Sequence, residues 1–229
     1  MLDPVSVEVL CGEVQPLGSK GHLSGISKAP IEGPWQITRV GLIGDAQADL
    51  KHHGGPEKAV HHYPRDHYET WRTEIGTHPL LDAPGAFGEN FSTTGWTEYS
   101  VHIGDVVRFG SALLQVSQGR QPCWKLNVRF NRDDVAYRTQ SSGRTGWYYR
   151  VLEEGAAAPG DQLILVDRRH PAWPLNRLIA LLYRDKERYS ELQDMSEIPE
   201  LAESWRMLAA RRVQARATEN WTSRLDAPR

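Results

Sequence analysis

Up to Val166 the apolar positions of this chain mostly alternate with polar ones in short runs, and beyond Asp167 they recur at helical spacing. Residues 5–14 (VSVEVLCGEV) alternate and are rich in β-branched side chains, which predicts a first strand. Trp35 to Val40, Val106 to Phe109, Ala112 to Ser117, the alternating Trp147, Tyr149 and Val151, and Gln162 to Val166 predict others. Gly44-Asp45, Gly104-Asp105 and Pro159-Gly160-Asp161 are turn signals, and Gly110-Ser111 folds Val106–Ser117 into a hairpin. Arg65 to Ile75 reads as a helix. Lys125 to Ser142 carries a weaker helical pattern, with Asn131 the expected N-cap of Arg132–Gln140. Many short strands joined by tight turns predict a mainly β fold, a barrel with a few helices, over residues 1–169.

Residues 170–229 predict a small helical module. Pro174 suits a first helical turn, and Leu175, Leu178, Ile179 and Leu182 form one stripe. Glu187 to Asp194 is a second short helix, and Pro199 opens a third with Leu201, Ala202, Trp205, Leu208, Ala209 and Val213 on one face. Trp205 is expected in the core rather than at an interface.

Charge narrows the partners. With 27 basic and 29 acidic residues in 229, the net charge is -2, and neither part has a field suited to stable nucleic-acid or membrane binding. The longest unbroken apolar run, Leu178 to Tyr183, is far short of the roughly 18–20 residues of a membrane span. The N-terminus has Asp3 before any basic residue, so no signal peptide is expected. Two cysteines, Cys11 and Cys123, make no disulfide framework, and the expected compartment is the reducing cytoplasm.

Three features carry candidate chemistry. Six of the nine histidines fall between His52 and His78, but their spacing lacks the helical two-histidine signature of a zinc protease. Neighbouring histidines on a strand also face opposite ways, so a polar pocket using one or two as hydrogen-bond donors is favoured over a zinc hydrolase site. The loops GLIGD, HHGGPEK and GAFGEN place glycine beside charged or amide residues, and together they form a candidate anion-binding mouth with Lys51, Lys58 and Asn90. Cys11 lies within a strand pattern and is expected to be buried and inert. Cys123, in VSQGRQPCWKL, has Arg120 three residues before it and Lys125 two after, cations that favour a thiolate or a soft metal ligand. From the residues alone it can be a nucleophile, a carrier, a ligand or a buried hydrophobe.

The ordered motifs GLIGD, KHHGG, AFGEN, IGD and QVSQGRQPCWKL resemble the MOSC family, the molybdenum cofactor sulfurase C-terminal fold, in its bacterial YiiM-type branch with a three-helix module. The resemblance spans residues 5–215. It implies a β-barrel whose groove holds the molybdopterin form of the molybdenum cofactor, with Cys123 as protein ligand to the metal. The family's Arg-x-Pro-Cys element matches Arg120–Cys123, while Gly119 stands where proline is expected, which should loosen the approach to Arg120. Arg120, Lys51 and glycine-loop amides such as Gly54 are then candidates for the cofactor's phosphate, and Asn90 and His53 for the pterin edge.

The implied activity is reduction of N-hydroxylated compounds such as hydroxylaminopurine-type base analogues, with Cys123 and His53 as catalytic residues and His53 as proton source. An iron–sulfur cluster normally takes four cysteines and only Cys11 is left over, so an external flavoprotein or iron–sulfur reductase is expected to deliver electrons. The alternative is a non-enzymatic cofactor-binding or sulfur-carrier protein, with a persulfide on Cys123. The helical module would pack on the barrel, form a homodimer or dock the electron donor.

Overall fold

The computed structural model describes residues 2–48 and 54–226. The alternation at residues 5–14 divides into β1 (Val5–Ser6) and β2 (Glu8–Cys11), because its two halves pair near opposite ends of one sheet. Short strands β3 (Gln15–Leu17), β4 (His22–Ser24), β5 (Ala29–Pro30), β6 (Trp35–Thr38) and β7 (Gly41–Leu42) follow. Next come β8 (Val60–Pro64), helix α1 (Tyr68–Ile75) and β9 (Phe91–Thr93). The predicted hairpin is β10 (Val106–Phe109) and β11 (Ala112–Gly119), and helices α2 (Lys125–Phe130) and α3 (Val135–Ser142) come after it. Strands β12 (Trp147–Glu153), β13 (Gly155–Ala157) and β14 (Gln162–Asp167) complete a mainly β fold.

Nine strands form the main sheet in the order β1-β14-β10-β11-β12-β8-β9-β2-β5, with β8 and β9 parallel and the other pairs antiparallel. Among the described residues the ladder does not close into a barrel: β1 pairs with β14 alone and β5 with β2 alone. Pro30 on β5 has no N–H for a further neighbour, which suits it to an edge.

The C-terminal helices are α4 (Leu175–Tyr183), α5 (Tyr189–Ser196), α6 (Glu203–Ala215) and the single turn α7 (Thr222–Leu225). The stripe of Leu175, Leu178, Ile179 and Leu182 joins Phe109, Leu114 and Trp147 of the sheet in one buried cluster, and Trp205 is wholly buried within it. Burying these side chains is favourable by roughly 25 cal/mol per Å² of apolar surface, and the contact with the sheet provides that burial within a single chain. No helix among the described residues is long and apolar enough to cross a membrane.

Three local expectations are corrected. Asn131 does not open a helix. It closes α2 in the left-handed conformation (φ 48°), while the Asn127 side chain accepts from Ala136 N at 2.7 Å and so caps α3 from the preceding helix. The third C-terminal helix starts at Glu203 rather than at Pro199: a turn closes with Leu201 N on Ile198 O (3.2 Å), and Ala202 N then donates to Ser117 O of β11 (2.8 Å). Gly119 does not loosen the approach to Arg120. It pairs with Trp147 in the sheet, and a Cβ there would lie 2.9 Å from Trp205 Cη2 and 3.1 Å from Ile179 Cγ1. The missing side chain is what lets α4 and α6 lie directly on the strand that leads into the cysteine loop.

Candidate functional site

Segments far apart in the sequence close around one cavity of about 570 Å³, open mouth included. Ser24 to Lys28 and the stretch Asp45 to Ala48 form one side, and His61 of β8 meets Gly88 and Asn90 on another. Lys58, Arg120, Cys123 and Lys125, with Tyr148 of β12, form the rest of the described wall. Of the residues anticipated from sequence, Cys123, Arg120, Asn90, Lys58 and Lys125 are brought together here. Gly54 is not among the described lining residues, and Lys51 and His53 lie outside the described part of the chain.

Cys123 lies between the end of β11 and the start of α2, with its carbonyl accepting from Leu126 N at 3.0 Å. It is not disulfide-bonded and is 7% exposed. Arg120 leaves the sheet with its amide on Gly146 O (3.0 Å) and its side chain buried. Its Nη1 has no hydrogen-bond partner among the described residues. Burial pushes the Tyr148 phenol up, and the hydrogen-bonded Arg120 guanidinium beside it works in the opposite direction. An unpartnered guanidinium nitrogen beside a sulfur, both shielded from bulk water, is an arrangement a bound anion would complete. Cys11, on β2, is a different case: burial and then the nearby Asp45 carboxylate push its thiol up to about 11, outweighing Lys28. It behaves as a small core residue.

Strand parity separates the adjacent histidines. His61 faces the cavity, its ring 5.0 Å from that of Tyr148 and its Nε2 without a partner among the described residues. His62 faces the core, held by Tyr149 Oη (3.0 Å) and Thr93 Oγ1 (2.7 Å). Burial, with Arg120 next in weight, drives His61 well below its ordinary value, and burial alone takes His62 down to about 3. Both rings are therefore neutral at pH 7, and His61 Nε2 suits a contact with a ligand N–H or O–H. As the folded-state values lie below the unfolded one, the unfolded chain takes up protons first on acidification. Stability from these two sites is complete above pH 6.5 and lost as the pH falls below it, toward 3 for His62, at about 1.4 kcal/mol per pH unit per proton. Urea unfolding at stepped pH should give midpoints that drop over this window, and His62→Gln, less stable throughout, should drop with a slope smaller by about one proton.

The opposite wall is fixed by Asp45. Its carboxylate accepts from Gly12 N (3.0 Å), Gln47 Nε2 (3.2 Å) and Asn90 Nδ2 (2.9 Å), and pairs with Lys28. Asn90 also donates to Leu10 O (3.2 Å) and accepts from His61 N (3.1 Å). With both amide hydrogens occupied, Asn90 joins the Asp45 stretch to β2 and β8, leaving one lone pair on its Oδ1 for a ligand.

All three glycine loops reach the cavity, through Asp45, Lys58, Gly88 and Asn90, but the GAFGEN amides are already taken, contrary to expectation. In GAFGEN, Gly85 N and Phe87 N donate to the buried Glu89 carboxylate (2.7 and 3.0 Å), Ala86 N to Tyr68 Oη (3.2 Å) and Gly88 N to Gly85 O (3.1 Å). The loop already binds an anion, the chain's own Glu89. Positive potential in the cavity comes instead from side chains: Lys28, Lys58, Arg120 and Lys125 face a single described carboxylate, Asp45. Lys28, Asp45, His61 and Tyr148 were not singled out as members of this site by sequence reasoning. Only strand parity at His61-His62 gave a signal. Among the described residues no three His, Cys, Asp or Glu side chains converge as a metal-binding group.

Comparison with known proteins gives the family of the chain. The MOSC domain family matches residues 49–164, and the family described as YiiM-like, 3-alpha helix domain matches residues 173–216. Protein YiiM of Escherichia coli is 44% identical over 162 residues, covering 71% of this chain and 72% of that protein. A protein named reductase from Gibberella moniliformis is 36% identical over 197 residues, covering 85% of this chain but 35% of that protein. The crystal structure of YiiM from Escherichia coli superposes with a TM-score of 0.83 at 31% identity, covering 98% of this chain and 100% of that one.

Proposed function

This chain belongs to the MOSC family and carries its YiiM-like three-helix extension, and on that footing we propose that the cavity holds the molybdopterin form of the molybdenum cofactor and that the protein reduces N-hydroxylated compounds, hydroxylaminopurine-type base analogues among them. The observation that carries this reading is a buried sulfur that lines one cation-lined cavity with two buried polar atoms lacking partners among the described residues, Arg120 Nη1 and His61 Nε2. The set fits the group. Cys123 would give the metal the one soft ligand that a pterin dithiolene leaves for the protein. Arg120, Lys51, Lys58, Lys125 and the Gly54 amide would hold the phosphate, and His53, His61 and the open lone pair of Asn90 the polar edge of the pterin.

When bound, the cofactor supplies two-electron removal of an oxygen atom. The balance is R–NH–OH + 2 e⁻ + 2 H⁺ → R–NH₂ + H₂O, so the chain must deliver protons and admit electrons. His53 is the proposed proton donor, histidine being the side chain type suited to proton transfer near neutrality. His61, held neutral by burial, positions the ligand instead. Too few cysteines remain for a cluster, so a flavoprotein or iron–sulfur reductase delivers the electrons. The name of the Gibberella moniliformis relative, a reductase, agrees with this direction of reaction.

Protein purified from a host that makes the cofactor, supplied with a flavoprotein reductase and its nicotinamide donor, should convert hydroxylaminopurine to the aminopurine. A preparation without turnover that carries a persulfide on Cys123 and no molybdenum would replace this reading with the sulfur-carrier one.

A further inference from the structure

The cysteine loop has few polar contacts with the sheet. From Gly119 onward the chain leaves β11, and Arg120 N on Gly146 O is the last bond that continues the ladder. The backbone on either side of Cys123 is held by the C-terminal module. Tyr183 Oη of α4 donates to Arg120 O (3.4 Å), the Arg224 guanidinium of α7 donates to Pro122 O, and Trp124 N donates to Arg224 O (2.8 Å). Asn127 Nδ2 in α2 reaches Leu225 O at 3.0 Å.

The segment that carries Arg224 is itself anchored. Arg212 of α6, 1% exposed, donates to Leu181 O and Leu182 O (3.2 and 2.9 Å) and pairs with Glu219. Trp221 meets Tyr183 edge to face at 5.6 Å, and the Arg224 guanidinium lies 4.1 Å above the Trp221 ring while also donating to Gln140 Oε1. A rigid fork that grips two acceptors while stacked on an aromatic face is well suited to fixing a backbone position.

We propose that the C-terminal module sets the position of the cysteine loop, and that Arg224 is a positioning residue for Cys123. This assigns the module a task inside the site, and gives a reason for the close approach of α4 and α6 at Gly119. The proposal rests on the reading of Cys123 as the working sulfur. Its test reads the loop without cofactor, so failure of the molybdenum reading would not be mistaken for failure of this one.

Two readouts on cofactor-free protein are decisive: deuterium uptake by peptides covering 120–127, and capture of Cys123 by iodoacetamide followed by peptide mass. Losing a charge-assisted hydrogen bond that holds a local structure should speed both by roughly ten- to a hundredfold in Arg224→Gln, with β10 and β12 peptides unchanged. Arg224→Lys, which keeps the charge but not the fork, should fall between Arg224→Gln and the native protein. Trp221→Ala, which removes the stacking ring and leaves Arg224 in place, should shift both in the same direction by less. Native rates in the loop for both Arg224→Gln and Trp221→Ala would overturn the proposal. So would acceleration shared equally by the strands, because that reports general loss of stability instead of positioning.

Discussion

Cys123→Ser is expected to fold like the native protein and to lose both molybdenum and turnover. Serine is close to cysteine in size, and the buried hydroxyl has polar neighbours in Arg120 and Tyr148, so stability should stay within about 1 kcal/mol. A hydroxyl is a poor substitute for a thiolate toward a metal already held by dithiolene sulfurs. Outer contacts to metal ligands typically cost 10–100-fold in affinity or activity, so loss of the ligand itself should reduce turnover by more than about a hundredfold. Thermal unfolding alongside the reductase assay separates the two effects. Full turnover in Cys123→Ser would remove the sulfur from the account.

The largest loss of stability is expected at Glu89, which faces away from the cavity. Its carboxylate is wholly buried and accepts from Gly85 N, Phe87 N and Tyr68 Oη (2.7, 3.0 and 2.9 Å). Arg129 holds the carbonyls of the same loop, with Nε on Ala86 O at 2.9 Å and Nη2 on Gly85 O at 2.8 Å. Glu89→Ala leaves two amides and a phenol without their acceptor, and the half-buried Arg129 guanidinium without its nearby countercharge. The expected cost is about 3–5 kcal/mol, the range for breaking a buried ionic network by deleting one member. Urea midpoints would measure it. As Gly88 and Asn90 continue the same loop into the cavity wall, cofactor retention should fall with stability.

What could be read from sequence was what neighbouring residues decide. The β10–β11 hairpin follows from alternation and a two-residue turn, and its first strand has the expected bounds. The opposite facing of His61 and His62 follows from strand geometry. Asn131 was misassigned because asparagine suits both helix starts and left-handed helix ends, and the side chain that decides between them comes from Asn127. The glycine loops read as anion sites because glycine next to a charge is common to both cases. Only the fold reveals that Glu89 turns inward to fill one of them.

The same limit governs the site. Arg120 and Cys123 share one short segment, so their chemistry was visible together. Asp45, His61 and Tyr148 meet them only because β8 and β12 pair and Asn90 draws the Asp45 stretch inward. The task of the helical module was illegible for the same reason, since amphipathic stripes report that a helix is buried and not what it lies against. In this chain it lies against the strand and loop that carry Cys123.

The central claim is that this cavity is the seat of a molybdenum cofactor. It is tested most directly by elemental and pterin analysis of the full chain purified from a cofactor-producing host, with Cys123→Ser prepared in parallel. The account predicts about one molybdenum and one molybdopterin per native chain, with the metal lost from the variant. Native protein that carries neither molybdenum nor pterin, or a variant that retains both at the native level, would contradict it.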